Sequence, residues 1–419
     1  MMEMKLPTIY KVYNANDFVG IKATGKKIDL FLPSFFRIDN DEKILRKDLL
    51  LFLKSISLAK TIECSHISNV MSNDISGVWP IESFLWLIQD FIENGVYYDR
   101  EKLYSSDGKG RIDWKRTMRY VPIISNGNFV YDKIITSKML PTNDFISQIY
   151  SICVMISQNS IGWLWGYNIH NNVQQQKPLL EMISYVKKKS VETFDDVKRL
   201  RFRHMLNVLQ NINSENALST RFTYGIENYY YVFEVMVDRL MKGIPVTERK
   251  KYNPVGYWKL NGSEEKESSS MRPDTIYIND DELFIIDAKM YQYGFTKNID
   301  DLPETTSMQK QVTYGDYIKR TAGLKKIRNA FIMPYDKTLA AFSKDINICK
   351  MVEDNMAFIG EAYVAWRDQK EDYDNIYSFL IDFNFLLNSY KKNDTVCIDQ
   401  LCKIIDQNIK KKQGMYEDR

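Results

Sequence analysis

Apolar residues recur along this chain in two spacings, one typical of short strands and the other of amphipathic helices. Two apolar runs within residues 18–33 flank a polar turn and predict a β-hairpin, whereas residues 41–60 have the spacing of a helix. A polar stretch over 65–77 separates them from a second helix, which is predicted to start at Pro80 and end at Gly95. We therefore expect a first module of hairpin and helix over residues 1–75.

Residues 76–220 are predicted to form a mainly helical middle region, because long amphipathic segments follow residue 142. Before these segments, the Asn126-Gly127 pair is a strong signal for a tight hairpin turn.

A basic run precedes that turn: Lys115, Arg116 and Arg119 lie between Trp114 and Tyr120. Cations interleaved with aromatic rings could follow a phosphate backbone. A solvated basic face beside acidic neighbours explains the pattern equally well, so both interpretations stay open.

Residues 221–390 alternate between helix and strand patterns and are interpreted as one domain. The predicted order is a helix over 224–241, an irregular strand within 246–270, a hairpin over 275–288, a helix over 307–320, and strands over 328–334 and 356–366. Two closing helices are predicted over 376–387 and 396–412, with residues 391–419 as a C-terminal helix and tail. The expected fold class is α+β.

Two acids and a lysine stand at the open end of the predicted hairpin. Asp274 precedes its first strand, and Asp287 and Lys289 close its second strand on one shared face. Mg²⁺ prefers hard oxygen ligands and keeps several waters, so the two acids and the Ala288 carbonyl could hold it, and Mn²⁺ is expected to substitute. Such a site suits phosphodiester hydrolysis, with Lys289 stabilising the developing charge. Ordinary turn acids on a surface hairpin are the alternative.

Glu234 lies within an apolar stretch of the predicted helix 224–241, seven residues after Glu227. A carboxylate there is costly unless it is paired or faces a metal ion. We interpret Glu234 as a third acid of the site, and a buried pair with an arginine is the alternative.

The composition and charge of the chain indicate which partners, metal sites and cellular compartment to expect. The net charge of +3 is nearly neutral, so any contact with nucleic acid must come from local patches. Five scattered cysteines and three histidines predict neither a disulfide framework nor a zinc site. No signal peptide is recognisable and no apolar run reaches the ~18 residues of a membrane span, so we expect a cytoplasmic protein with no membrane contact.

Residues 20–27 approach the phosphate-binding loop pattern G-x-x-x-x-G-K-[ST]. Lys27 occupies the position of the metal-binding hydroxyl, however, and strand-forming residues follow where a helix should begin. We therefore expect any nucleotide hydrolysis to be performed by a partner protein.

The order Pro273-Asp274, then Asp287-Ala288-Lys289, resembles the PD-(D/E)xK signature of restriction-type nucleases. The chain is similar to LlaJI-type restriction endonucleases, relatives of the McrC nuclease subunit, in several further segments: 18–21, 80–86, 112–117, 125–128, Glu227 and Glu234, Arg272, and Gln311 with Tyr314.

This resemblance implies a nuclease core of αβββαβ order over 221–390, with Asp274, Asp287 and Glu234 as metal ligands. It also implies that Gln311 contacts water or phosphate, although an exposed polar helix residue is the alternative. The implied substrate is double-stranded DNA, and the implied partner is a McrB-like AAA+ GTPase ring that the chain could stimulate. The N-terminal module would then dock the partner, and dimerisation of the nuclease is possible.

Two other functions remain open at this stage. The chain could be a non-catalytic DNA-binding or scaffold subunit with a nuclease-like fold, or a PD-(D/E)xK nuclease of repair or transposition.

Overall fold

The computed structural model describes residues 7–14, 16–24, 27–58, 80–106, 109–142, 145–164, 178–210, 222–322 and 326–417. The predicted polar linker at 65–77 lies outside these residues. Two compact units are found, the first built mainly from Ser76–Phe222 and the second from Pro7–Ala23, Lys27–Ile75 and Thr223–Arg419. The four-part division made from the sequence stays a prediction.

The secondary structure is a mixture of helices and strands. The strands are β1 (Thr8–Val12), β2 (Val19–Thr24), β3 (Lys27–Pro33), β4 (Asp99–Ser105), β5 (Arg111–Ile112), β6 (Ile123–Ser125), β7 (Asn128–Val130), β8 (Thr136–Thr142), β9 (Phe222–Ile226), β10 (Tyr257–Trp258), β11 (Lys266–Glu267), β12 (Thr275–Asn279), β13 (Glu282–Ala288), β14 (Lys326–Tyr335), β15 (Cys349–Met351), β16 (Met356–Ala362) and β17 (Ile376–Asp382). The helices are α1 (Glu42–Ile56), α2 (Ile81–Asn94), α3 (Trp114–Thr117), α4 (Phe145–Ile161), α5 (Leu179–Glu192), α6 (Asp196–Gln210), α7 (Tyr230–Leu240), α8 (Val246–Arg249), α9 (Tyr293–Thr296), α10 (Thr305–Ala322), α11 (Ala340–Ser343), α12 (Phe383–Ser389) and α13 (Val396–Glu417).

The first unit combines a helical layer with small sheets. Helices α2, α4 and α6 pack on one another, and β4, β8 and β5 form a three-stranded sheet. Helix α2 follows Pro80 and ends at Gly95, as predicted. The predicted hairpin turn is also confirmed, because Asn126 and Gly127 adopt φ values of 49° and 74° between β6 and β7.

The second unit contains a four-stranded sheet of order β1-β3-β2-β9, which includes the predicted N-terminal hairpin. Helix α1 begins after Asp41, whose side chain caps it, and packs against α12 near the other end of the chain. The segment that begins at Lys27 is strand β3 and not a helix, which agrees with the rejection of a phosphate-binding loop.

A six-stranded mixed sheet of order β12-β13-β14-β17-β16-β15 forms the centre of this unit. Strands β12 and β13 are antiparallel, whereas β13, β14 and β17 run parallel to one another. Helix α10 links β13 to β14 and packs against both, and α7 packs against β12 and β13. Apolar side chains of β12, β13, α10 and β14 form one core: Ile276, Leu283, Ile285, Tyr314, Ile318 and Ile327.

Three predictions are wrong in this unit. Residues Ile376–Asp382 form the strand β17 and not a helix, and all seven are buried. No strand of the six-stranded sheet comes from 246–270, where the structure has helix α8 and a separate β10–β11 hairpin. Helix α7 begins at Tyr230, so the exposed Glu227 precedes it and does not share its face with Glu234.

Among the helices of the described segments, none has the length and apolar character required to cross a membrane.

Candidate active site

Asp274 and Asp287 lie opposite each other at the open end of the β12–β13 hairpin. Thr275 pairs with Ile286, so the two aspartates occupy the next opposed positions of the antiparallel ladder. The backbone N–H of Ala288 donates to Asp274 Oδ2 at 3.0 Å, which fixes this carboxyl group against β13. Asp287 is almost fully buried, at 2% exposure. Two carboxyl groups are therefore held together at one end of the sheet.

Lys289 neutralises part of this acidic cluster. Its Nζ lies 2.5 Å from Asp287 Oδ2, and its side chain is 17% exposed. Its backbone N–H donates to the carbonyl of Ile332 at 2.8 Å, which ties the end of β13 to β14. Burial alone would lower the pKa of Lys289, but the carboxylates of Asp287, Asp274 and Glu234 outweigh it and raise the pKa. The lysine is therefore charged at neutral pH.

Glu234, on helix α7, faces the same cluster. Burial is the main reason why its pKa is raised to about 7, and Asp287 raises it further against the opposing effect of Lys289. Burial and the carboxylates of Asp287 and Glu234 likewise raise the pKa of Asp274 well above its usual range. Within the described segments Glu234 forms no ion pair with an arginine, and the cations that lower its pKa are Lys289 and Lys310.

The carboxylates at the open end of the β12–β13 hairpin are ligands of the kind that a divalent cation prefers. No group of three or more acidic, histidine or cysteine side chains in the described parts of the chain is already arranged to hold a metal ion. Mg²⁺ does not require such a group, because it is commonly bound through one or two carboxylates and keeps several waters. The opposed pair Asp274 and Asp287 fits this mode.

Gln311 and Tyr314 lie on helix α10 with their side chains buried, at 0% and 1% exposure. The Tyr314 hydroxyl donates to the carbonyl of Arg272 at 3.0 Å and so holds the chain just before Asp274. Both polar side-chain atoms of Gln311 are buried without a hydrogen-bond partner among the described residues. The interpretation of Gln311 as an exposed helix residue is therefore wrong, and its amide has polar atoms for which the described residues supply no partner.

Arg249 is a residue of this region that the sequence analysis missed. Its guanidinium donates to both carboxylate oxygens of Asp238 on α7, at 2.6 and 2.7 Å, and to the carbonyls of Ile244 and Asp274. Arg249 thus fixes the backbone of Asp274 relative to helix α7. No local pattern links residues eleven positions apart across a helix end, so this role had no signal in the sequence.

The chain is similar to two solved structures from Thermococcus gammatolerans: a half-complex from a tetradecameric assembly of McrB AAA+ hexamers with bound McrC, and the McrBC complex. The first match has 12% identity and a TM-score of 0.35, and covers 87% of this chain and 76% of the other. The second has 14% identity and a TM-score of 0.22, with coverages of 53% and 66%.

A curated protein of Bacillus subtilis (strain 168), the Type II restriction enzyme BsuMI component YdjA, is 22% identical over 401 residues, which are 88% of this chain and 84% of the relative. The family model of the LlaJI restriction endonuclease matches residues 18–358. The chain therefore belongs to the LlaJI restriction endonuclease family.

Proposed function

We propose that this chain is the metal-dependent DNA endonuclease subunit of a restriction system. The observation that carries the proposal is the convergence of Asp274, Asp287 and Lys289 at the open end of the β12–β13 hairpin. Membership of a restriction endonuclease family supports it and favours restriction over repair or transposition.

The arrangement of elements supports a PD-(D/E)xK nuclease core. Helix α7, the hairpin β12–β13, helix α10 and strand β14 follow one another in the order that such a core requires, and β13 lies between β12 and β14. The first strand of the expected αβββαβ order is not found at 246–270, so the proposed core is built on the remaining elements.

Asp274 and Asp287 would hold Mg²⁺, or Mn²⁺ in its place, through their facing carboxylates. When bound, the ion would acidify a coordinated water and neutralise charge on the scissile phosphate. Burial, followed by the charges of Asp287 and Glu234, raises the pKa of Asp274, so this carboxyl group would release a proton as the ion binds. Lys289 remains charged and stabilises the negative charge that grows on the phosphate. Glu234, whose pKa is about 7, can accept the proton of the attacking water near neutral pH.

The partners belong to the same proposal. The Bacillus subtilis relative is described as a component of a restriction enzyme, which supports a multi-protein system. We propose that a McrB-like AAA+ GTPase supplies nucleotide hydrolysis, that residues 1–75 take part in docking it, and that the chain stimulates it. Because one active site cuts one strand, double-stranded cleavage would require two copies of the nuclease.

Cleavage of double-stranded DNA with Mg²⁺ and GTP, with and without the AAA+ partner, tests the proposal. Asp274→Asn and Lys289→Met should each lower the cleavage rate at least ~100-fold, because each removes a charge that acts on the metal or the phosphate. Asp281→Asn, in the exposed turn of the same hairpin, is the matched control and should cleave normally. Normal cleavage by both site variants would show that these residues do not perform the chemistry, and a wild-type chain that does not cleave under any of these conditions would favour a scaffold subunit instead.

A further inference from the structure

A cavity of about 510 Å³ opens on the first unit. Its lining residues lie between Tyr104 and Ile135, far in sequence from the acidic pair Asp274 and Asp287. Its lining includes three cations, Arg116, Arg119 and Lys133, and two aromatic residues, Tyr104 and Tyr120. Serine hydroxyls and one isoleucine complete the wall. The nuclease chemistry proposed above uses none of these residues.

Positive charge is concentrated around this cavity. Residues 109–138 contain seven lysines and arginines against two aspartates, although the whole chain has a net charge of only +3. The remainder of the chain is therefore net acidic. Within the described segments, Arg116, Arg119 and Lys133 form no ion pair with an acidic side chain. Cations that are not neutralised by the protein around a concave surface favour an anionic ligand.

The cavity is held in shape by the protein. The backbone N–H of Asp113 donates to the carbonyl of Ile135 at 2.8 Å, and the N–H of Ile135 donates to the Thr117 hydroxyl at 3.0 Å. These bonds attach helix α3, which carries Arg116, to the start of β8. The Arg116 guanidinium carbon lies 3.5 Å from the centre of the Tyr104 ring. Since this arginine is already ordered, a ligand would lose little affinity to side-chain immobilisation.

We propose that this cavity binds the phosphate group of a nucleotide, with the base against Tyr120. The guanidinium fork of arginine matches phosphate oxygens, and lysine adds a point charge. An aromatic ring beside the cations offers a surface on which a base of any identity stacks. The volume lies within the ~300–1,000 Å³ of typical small-molecule sites. The nucleotide can be free or part of single-stranded DNA, since both present the same group.

Binding to the full chain in a chelator, where no cleavage occurs, tests this site. Calorimetric titrations would use GMP, guanosine, inorganic phosphate and an oligothymidylate of about eight nucleotides. GMP should bind saturably and guanosine should not, because guanosine lacks the anion. If the oligonucleotide binds at least about tenfold more tightly than GMP, the ligand of the cavity is a nucleotide within single-stranded DNA. If the two affinities are equal, the ligand is a free nucleotide.

Variants assign the binding to the cavity. Arg119→Ala combined with Lys133→Ala should weaken GMP and oligonucleotide binding at least about tenfold, since each residue supplies a charge-assisted contact. The matched control is Lys187→Ala with Arg203→Ala, which removes two exposed cations elsewhere in the first unit. Tyr120→Leu should remove the preference for GMP over inorganic phosphate.

Two results would overturn this proposal: no saturable binding of any phosphate-bearing probe, or equal weakening in the two double variants. Arg119→Lys with Lys133→Arg preserves the charge and should bind within a few fold of the wild type, which separates loss of charge from misfolding. The site shares no residue with Asp274 and Asp287, so its failure would leave the nuclease proposal untouched.

Discussion

Asp274 and Asp287 face each other one position beyond the last paired residues of the β12–β13 hairpin, and the amide of Ala288 binds one oxygen of Asp274. This relationship places two carboxyl groups where only one ionises easily, because like charges at short distance raise the pKa of one partner. The pKa of Asp274 is accordingly raised well above its usual range by burial, Asp287 and Glu234. Cation binding at the proposed site would therefore be coupled to proton release.

The first prediction concerns the pH dependence of metal binding. Because burial and the neighbouring acids raise the pKa of Asp274, its carboxyl group should release a proton when Mn²⁺ or Mg²⁺ binds, so the affinity should rise with pH by up to about tenfold per pH unit. Titration calorimetry in buffers of different ionisation enthalpy measures both the affinity and the protons released.

Asp274→Asn should abolish this binding, and Asp281→Asn should leave both the affinity and its pH dependence unchanged. An affinity that does not vary with pH in the wild type would contradict the coupling.

The second prediction concerns Glu234 and stability. Its pKa rises from 4.5 in the unfolded chain to about 7 in the folded protein. Between pH 4.5 and about pH 7 Glu234 is protonated in the folded protein but ionised in the unfolded chain. The stability that this proton contributes is therefore complete below about pH 4.5 and is lost as the pH rises through 7. At about pH 8 the ionised group costs at most about 3 kcal/mol.

Glu234→Gln should therefore raise the free energy of unfolding at about pH 8 in a chelator and change it little at about pH 5. Urea denaturation at the two pH values provides the measurement. Glu227→Gln, at an exposed position, serves as the control and should change neither value. A destabilised Glu234→Gln protein at the higher pH would show that the carboxylate is held by contacts that favour its charge.

The third prediction concerns Arg249, which joins helix α7 to the backbone of Asp274. Arg249→Met should lower the free energy of unfolding by about 3 kcal/mol, because it leaves the Asp238 carboxylate without its bidentate partner. It should also weaken metal binding, since the carbonyl of Asp274 is no longer fixed. Arg320→Met, at an exposed position of α10, should be neutral in both measurements.

A double-mutant cycle that combines Arg249→Met with Asp238→Asn measures the interaction energy of this ion pair. Asp238→Asn combined with Arg249→Met should cost less than the sum of the two single changes by at least about 1 kcal/mol. Additive costs would mean that the two side chains do not depend on each other.

The fourth prediction concerns Gly294, in helix α9 just after the site. A Cβ atom there would lie 1.9 Å from the carbonyl oxygen of Pro334, which is backbone of β14 and has no room to move. Gly294→Ala should therefore destabilise the protein by about 2–4 kcal/mol. Gly256→Ala is a fitting control, because its Cβ would meet nothing closer than 3.9 Å, and it should stay within about 0.5 kcal/mol of the wild type. Thermal or urea denaturation distinguishes the two.

The sequence by itself determined where the acids and the lysine of the proposed site stand relative to their hairpin. Asp274, Asp287 and Lys289 stand at fixed positions beside a hairpin whose strands and turn are encoded by neighbouring residues. Asp274 and Asp287 stand opposite each other because of the pairing register of β12 with β13. The turn between the two strands sets that register. Helix α2, the Asn126-Gly127 turn and helix α10 were predictable for the same reason, since each depends on contacts within a few residues.

Only the tertiary structure decided the features that depend on distant partners. Ile376–Asp382 is mostly apolar, and such a run fits a buried helix or a buried strand until its place between β14 and β16 is known. Gln311 is buried because α10 lies against the sheet, although its own side chain is polar and Lys310 precedes it. Arg249 reaches Asp274 across 25 residues of chain. Local sequence specifies which elements form, but burial and long-range hydrogen bonds arise only when those elements pack, because each requires surfaces from separate parts of the chain.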